Sequence, residues 1–196
     1  MAANTYDVIV IGAGSVGVPA ACFIAQSGLS VLVVDRGASV GQGANKAAIG
    51  GVRATHSDTA KIRIGLESIE ILSTWQEKHG DNIEWQTGGY SFVAYDEREE
   101  NILKSLLTVQ HRYGLDIDWL DRQALLEAVP ALNPEGLIGG TLSPGDGSAS
   151  PLLALHAFYA EACRNGAEFR FGETVTGIGL QNGKVTHVET DKDLSL

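Results

Sequence analysis

Residues 6–37 read YDVIVIGAGSVGVPAACFIAQSGLSVLVVDRG, and this stretch decides the fold. Its opening run, 6–11, is short, β-branched and stopped by Gly12, the pattern of a strand buried on both faces. A helix is expected from about Ser15 to Ser27, with Pro19 tolerated near its first turn and Gly28 as the residue that closes it. Residues 30–34 repeat the buried-strand pattern and lead to Asp35. Strand, helix and strand in this order form a βαβ unit with a right-handed crossover.

Within that unit lies Gly12-x-Gly14-x-x-Gly17, and Asp35 follows Gly17 by 18 residues. A bare GxGxxG is a weak signal, but between a strand and a helix, with an acid ending the next strand, it is the dinucleotide-binding fingerprint. Each residue has a physical task. Gly12 permits the tight turn, Gly14 lets the backbone approach a pyrophosphate, and Gly17 allows close packing of helix on strand. The helix start at Ser15, Val16 and Gly17 offers free N–H groups and the positive end of a dipole to phosphate. Asp35 can accept from a ribose 2′-hydroxyl and would repel a 2′-phosphate, so NADP is disfavoured while NAD and FAD both fit. The bland alternative is a tight turn with no ligand.

Outward from this unit the pattern departs from a nicotinamide dehydrogenase, which would continue in βαβ alternation. A loop over 37–57 is followed by one long helix expected from Thr59 to Lys78, capped by Asp58 and ended by Gly80. Strand 88–95, an amphipathic helix over 97–113 and a short helix from Asp121 to Val129 come next. The charge run Glu97-Arg98-Glu99-Glu100 reads as a solvated helix start. Ser150-Pro151 starts another helix, 167–171 is a strand, and Asn182-Gly183 turns a hairpin that runs from Thr174 to Thr190. The expected class is α/β: a discontinuous Rossmann-like FAD-binding domain (1–84 and 143–196) interrupted by part of an α+β substrate domain (85–142).

The chain has 196 residues and a formal net charge of −10. That balance argues against a general nucleic-acid binder, which needs excess positive charge, yet it leaves room for phosphates bound by backbone N–H groups. No run approaches the ~20 apolar residues of a membrane span, and the N-terminus lacks a signal-peptide pattern. Cys22 and Cys163 have no CxxC or His-rich spacing, so no metal site and no disulfide is expected, and both read as buried thiols in a cytoplasmic chain.

Residues 6–37 resemble the amino terminus of the D-amino-acid oxidase-like family of FAD-dependent oxidoreductases, which includes sarcosine oxidase, glycine oxidase and dimethylglycine dehydrogenase. GQGANKAAIGGVR (41–53) is similar to the family's small-residue loop beside the flavin. LDRQALLEAVPAL (120–132) resembles part of its substrate domain, and DGSASPLLALHAFYAEACRNGAEF (146–169) the helix returning to the FAD domain. The resemblance implies FAD contacts at Asp35, Arg36, Gly43, Ala44, Asn45, Lys46, Ala47, Ala48, Gly50 and Gly51, with the backbone near Val175 meeting the adenine. Lys46 stands where some members attach flavin through a histidine, which implies non-covalent FAD. It implies oxidation of an amino acid or a secondary or tertiary amine by hydride transfer to flavin. The family pattern continues past residue 196, so a companion polypeptide carrying the C-terminal half is expected.

Catalytic groups stay open. Arg53 is a candidate carboxylate anchor or a structural ion pair, and His56 a proton-transfer group or a helix-start contact. Trp75, Trp85 and Trp119 read as core or interface aromatics. A short NAD-binding Rossmann module and a non-catalytic flavoprotein subunit are the competing readings.

Overall fold

A computed structural model describes residues 5–192. In chain order the elements are β1 (Val8–Ile11), α1 (Gly17–Gln26), β2 (Val31–Asp35), a 3-10 turn (Ala44–Ala47) and β3 (Gly51–Val52). They continue with α2 (Thr59–Ser73), α3 (Trp75–His79), β4 (Gln86–Thr87), β5 (Tyr90–Ala94), α4 (Glu97–Arg112) and β6 (Asp118–Asp121). The last are α5 (Arg122–Ala128), β7 (Gly139–Ser143), β8 (Gly147–Ser148), α6 (Pro151–Arg164), β9 (Glu168–Phe171), β10 (Val175–Gln181) and β11 (Lys184–Thr190).

The chain packs as two units, 1–49 with 151–196, and 50–150. In the first unit β1, β2 and β9 form a parallel sheet in the order β1-β2-β9, with Val8 opposite Val31 and Leu32 opposite Glu168. The central strand, β2, buries Val31, Leu32, Val33 and Val34 almost completely, each contributing about 1.5–3 kcal/mol. Helix α1 buries Val18, Ala21, Cys22 and Ala25, a stripe at helical spacing, and packs on α6, where Phe23 meets Phe158 edge-on. The hairpin β10–β11 turns through Asn182 at φ 52° and Gly183 at φ 75°, two successive left-handed residues that match the twist of the strands.

The second unit holds an antiparallel sheet β5-β7-β6 and a smaller one, β3-β8-β4. Its core joins Ala54, Ile62, Leu115 and Ile117, against which Leu66, Ile69 and Leu107 pack. The packing divides the chain between Ile49 and Gly50 because α2 spends its apolar face on Ala54, Leu107, Leu115 and Ile117. It divides again between Ser150 and Pro151, because β8 pairs with both β3 and β4.

The expected single helix from Thr59 to Lys78 is two, α2 and α3, broken at Thr74, whose hydroxyl donates back to the Glu70 carbonyl at 2.7 Å. Asp58 caps α2 by accepting from Lys61 N at 3.0 Å, as expected. The charge run begins α4 through reciprocal caps: Asp96 accepts from Glu99 N, and the Glu99 carboxylate accepts from Tyr95 N. One thiol departs from expectation. Cys22 is buried, but Cys163 is exposed, because it lies one step off the packed stripe of α6 that buries Leu155, Phe158 and Ala162.

Candidate functional site

In the first unit the turn between β1 and α1 is built by backbone. Gly12 has φ 105°, a conformation that L side chains rarely adopt, and its N–H donates to the Val34 carbonyl at 2.8 Å. A Cβ on Gly17 would sit 1.9 Å from the Gly12 carbonyl oxygen and 3.2 Å from Val10, so helix and strand meet at glycine contact. Around Gly14 nothing lies within 4 Å of an added Cβ, which leaves open space at the position assigned to a close ligand approach. No side chain caps the start of α1, and Ser15 and Val16 are exposed. Val18 N donates to the Gly14 carbonyl at 3.0 Å and Pro19 carries no N–H, so the groups that no side chain caps are those at the very start, at Ser15, Val16 and Gly17, which suits an anion.

Asp35 does more than end a strand. One carboxylate oxygen accepts from Ala13 N and the other from Gly37 N, both at 2.6 Å. It thereby ties the glycine turn to the loop after β2, and its remaining lone pairs still permit a ribose hydroxyl. Gly41 N donates to the Ala13 carbonyl at 2.9 Å, which brings the 41–48 loop to the same turn. Glu173 N donates to the Asp35 carbonyl at 3.1 Å, which sets the start of β10, and Val175 with it, near the same strand end. Gly43, Ala44, Lys46, Ala47, Ala48 and Arg36 are exposed. Asn45 is buried and structural in this arrangement, its amide donating to the Pro151 carbonyl at 3.1 Å. Gly50 and Gly51 belong to the second unit.

The second unit carries a cavity of about 240 Å³ lined by Arg53, His56, Phe92, Leu103, Gln110 and Thr141, among others. The Arg53 guanidinium lies 5.2 Å from the Tyr90 ring centre and 5.0 Å from that of Phe92, and one of its N–H groups donates to the Thr55 carbonyl. So Arg53 is held by aromatic faces and a backbone carbonyl. Burial, followed by the charges of Arg53 and Lys61, pushes the His56 imidazole below its ordinary value, against an opposing pull from Asp146. A neutral imidazole beside a cation can accept a proton or a hydrogen bond while the cation takes an anionic group.

Thr55, Gln110 and Thr141 line this cavity without having been singled out by the sequence pattern as functional, and Asp146 holds Thr55 from behind. Asp146 is fully buried, accepting from Ala54 N at 2.9 Å and from the Thr55 hydroxyl at 2.6 Å. Gln110 donates to the His56 carbonyl at 3.1 Å, while its Oε1 and the hydroxyl of Thr141 are buried without a partner. The run Ser143-Pro144-Gly145-Asp146-Gly147 signals only a turn, and Gln110 reads as one more position on an amphipathic helix.

Among the described residues no group of three or more His, Cys, Asp or Glu side chains could hold a metal ion, and no helix is long and apolar enough to cross a membrane.

Comparisons with known proteins converge on one family. The family model described as "FAD dependent oxidoreductase" (DAO) matches residues 7–195. The chain is 29% identical to the FAD-dependent oxidoreductase domain-containing protein 1 homolog of Drosophila melanogaster, over 93% of this chain and 39% of that protein. Among solved structures, L-proline dehydrogenase from P. horikoshii superposes with a TM-score of 0.91 at 28% identity, over 98% of this chain and 50% of that one. Glycine oxidase from Bacillus cereus superposes with a TM-score of 0.78 at 29% identity, over 97% of this chain and 53% of that one. The chain thus spans about half, or less, of the length of these relatives.

Proposed function

The chain belongs to the family of FAD-dependent oxidoreductases, and from that premise we propose that it is the FAD-binding part of an enzyme that oxidises an amino acid or a secondary or tertiary amine. The observation that carries this reading is the glycine turn: positive φ at Gly12, open space at Gly14 and an uncapped α1 start. That geometry suits a pyrophosphate held by backbone N–H groups. Bound FAD would supply the hydride acceptor for a substrate C–H beside nitrogen, and the protein's share is placement and electrostatics. Ser15, Val16 and Gly17 would hold the phosphates and Asp35 the ribose. Residues 43–48, with Gly50 and Gly51, would run beside the cofactor, and the backbone at Val175 would meet the adenine. In this reading Lys46 attaches nothing and FAD is bound non-covalently.

Arg53 is assigned to a substrate carboxylate, whose planar geometry a guanidinium matches, and His56, neutral near pH 7, to accepting a proton or a hydrogen bond beside it. The segments 1–84 and 143–196 are assigned to the FAD-binding domain, and 85–142 to the substrate domain. The rest of the fold is assigned to a companion polypeptide. That assignment is supported by β1, which among the described residues pairs on one side only and leaves Ile11 exposed.

The test is cofactor content and intact mass of the purified material. A yellow complex with flavin absorption near one FAD per chain, together with a co-purifying polypeptide, is the expected result. A chain that takes up NAD and no flavin overturns the enzyme reading. A lone 196-residue monomer that holds FAD tightly overturns the companion.

A further inference from the structure

Resting on the reading that Arg53 anchors a substrate carboxylate, we propose that Asp146 is the positioning residue for that anchor. The argument begins with burial. Asp146 is wholly enclosed in the second unit, where a carboxylate is costly unless hydrogen bonds compensate it. Its compensation comes from two successive residues, the Ala54 amide at 2.9 Å and the Thr55 hydroxyl at 2.6 Å. The Thr55 carbonyl in turn accepts from the Arg53 guanidinium. Thr55 therefore joins Asp146 to Arg53, its hydroxyl bonded to the one and its carbonyl to the other.

Both ends of that path are fixed. The Asp146 carbonyl accepts from Gly89 N at 2.8 Å, and the next residue, Gly147, lies opposite Val52 and Thr87 in the small sheet. At the other end the guanidinium rests against the Tyr90 and Phe92 rings, and Gln110 holds the His56 carbonyl. The pairing of β3 with β8 is made by backbone at Gly51–Val52 and needs no carboxylate. The Asp146 side chain reaches beyond the end of β3 and pins the segment that carries Arg53 and His56 into the cavity. An apolar residue could fill the same space but could not fix two donors on consecutive residues.

The experiment uses the full chain, loaded with FAD and kept with any polypeptide that co-purifies, and benzoate as the carboxylate probe. Affinity is read by titration calorimetry and by the Arg53 side-chain N–H signal in NMR spectra. Arg53→Gln is expected to cost at least tenfold in benzoate affinity with FAD content unchanged. Thr55→Val keeps the Asp146 charge and the side-chain shape but removes the hydroxyl. It is expected to weaken benzoate about fivefold and to shift the Arg53 signal, with Thr55→Ser restoring both. Asp146→Leu fills a similar volume but removes both acceptor oxygens, and is expected to weaken benzoate about fivefold even though the substitution removes an acidic group nearby. Benzoate binding unchanged by Arg53→Gln overturns the anchor reading and this proposal with it. Loss in Arg53→Gln alongside wild-type affinity and an unmoved Arg53 signal in Thr55→Val, or unweakened affinity in Asp146→Leu, overturns the positioning role alone.

Discussion

The glycine turn of the first unit and the arginine cavity of the second are built in opposite ways. The turn is backbone: one chain segment, 12–17, sets its shape, and the side chains of Ser15 and Val16 point away from any packing, both being exposed. The cavity is side chain: Arg53, His56, Phe92, Gln110 and Thr141 line it from segments far apart in sequence, with Asp146 bonded to Ala54 and Thr55 behind them. The difference teaches where specificity can be read. A backbone site is fixed by where side chains are missing, while a side-chain site is fixed by which ones meet. The turn should therefore fail sharply when a Cβ is added, and the cavity should yield by degrees.

The largest effect is expected at Gly17. Gly17→Ala places a Cβ 1.9 Å from the Gly12 carbonyl, so β1 and α1 must part, at a cost of at least about 3 kcal/mol. Thermal unfolding and flavin retention should both collapse. Gly14→Ala sharpens the contrast, since nothing lies within 4 Å of the added carbon. It should fold as well as the parent and lose about tenfold in FAD affinity, or about 1.4 kcal/mol, in a flavin fluorescence titration. A Gly14→Ala variant with undiminished FAD affinity would break the assignment of that space to the cofactor.

In the cavity, Thr141→Val exchanges a buried hydroxyl without a partner for a methyl of similar shape, and should raise stability by about 1 kcal/mol in a denaturant melt. A loss of stability would show that the hydroxyl is satisfied in solution. The smallest effect concerns pH. The folded chain holds His56 below its ordinary 6.5, so between the two values the unfolded chain binds more protons. The stabilising contribution of neutral His56 is present above about pH 6.5 and fades as the pH falls through the lower, folded value. His56→Gln should flatten that part of the stability–pH curve.

This contrast also explains what was legible in the sequence. The βαβ unit, the Asp58 cap, the Asn182-Gly183 hairpin and the α6 start all follow from local rules, in which neighbours a few residues apart decide the outcome. The break at Thr74 was hidden because a threonine inside a helical pattern does not reveal whether its hydroxyl bonds back to the preceding turn. Short strands such as β3, β4 and β8 carry too few residues for a period to register, and they exist only because they pair with each other. The spacing after Gly17 points to Asp35, but its bonds to Ala13 and Gly37 arise only where the end of β2 meets the glycine turn, 22 positions away from Ala13. Asp146 was invisible for a stronger reason: its partners lie about ninety positions away, and no local pattern encodes that distance.

The distribution of two residue types has an experimental use. Both cysteines lie in the first unit and all three tryptophans in the second. Cys22 is buried, with burial pushing its thiol up to about 11, whereas Cys163 faces solvent. A maleimide dye applied near neutral pH should therefore mark Cys163 in an unmodified chain. Dye emission would then report on the unit that carries the glycine turn and indole emission on the unit that carries the arginine cavity, so the unfolding of each could be timed separately in one sample.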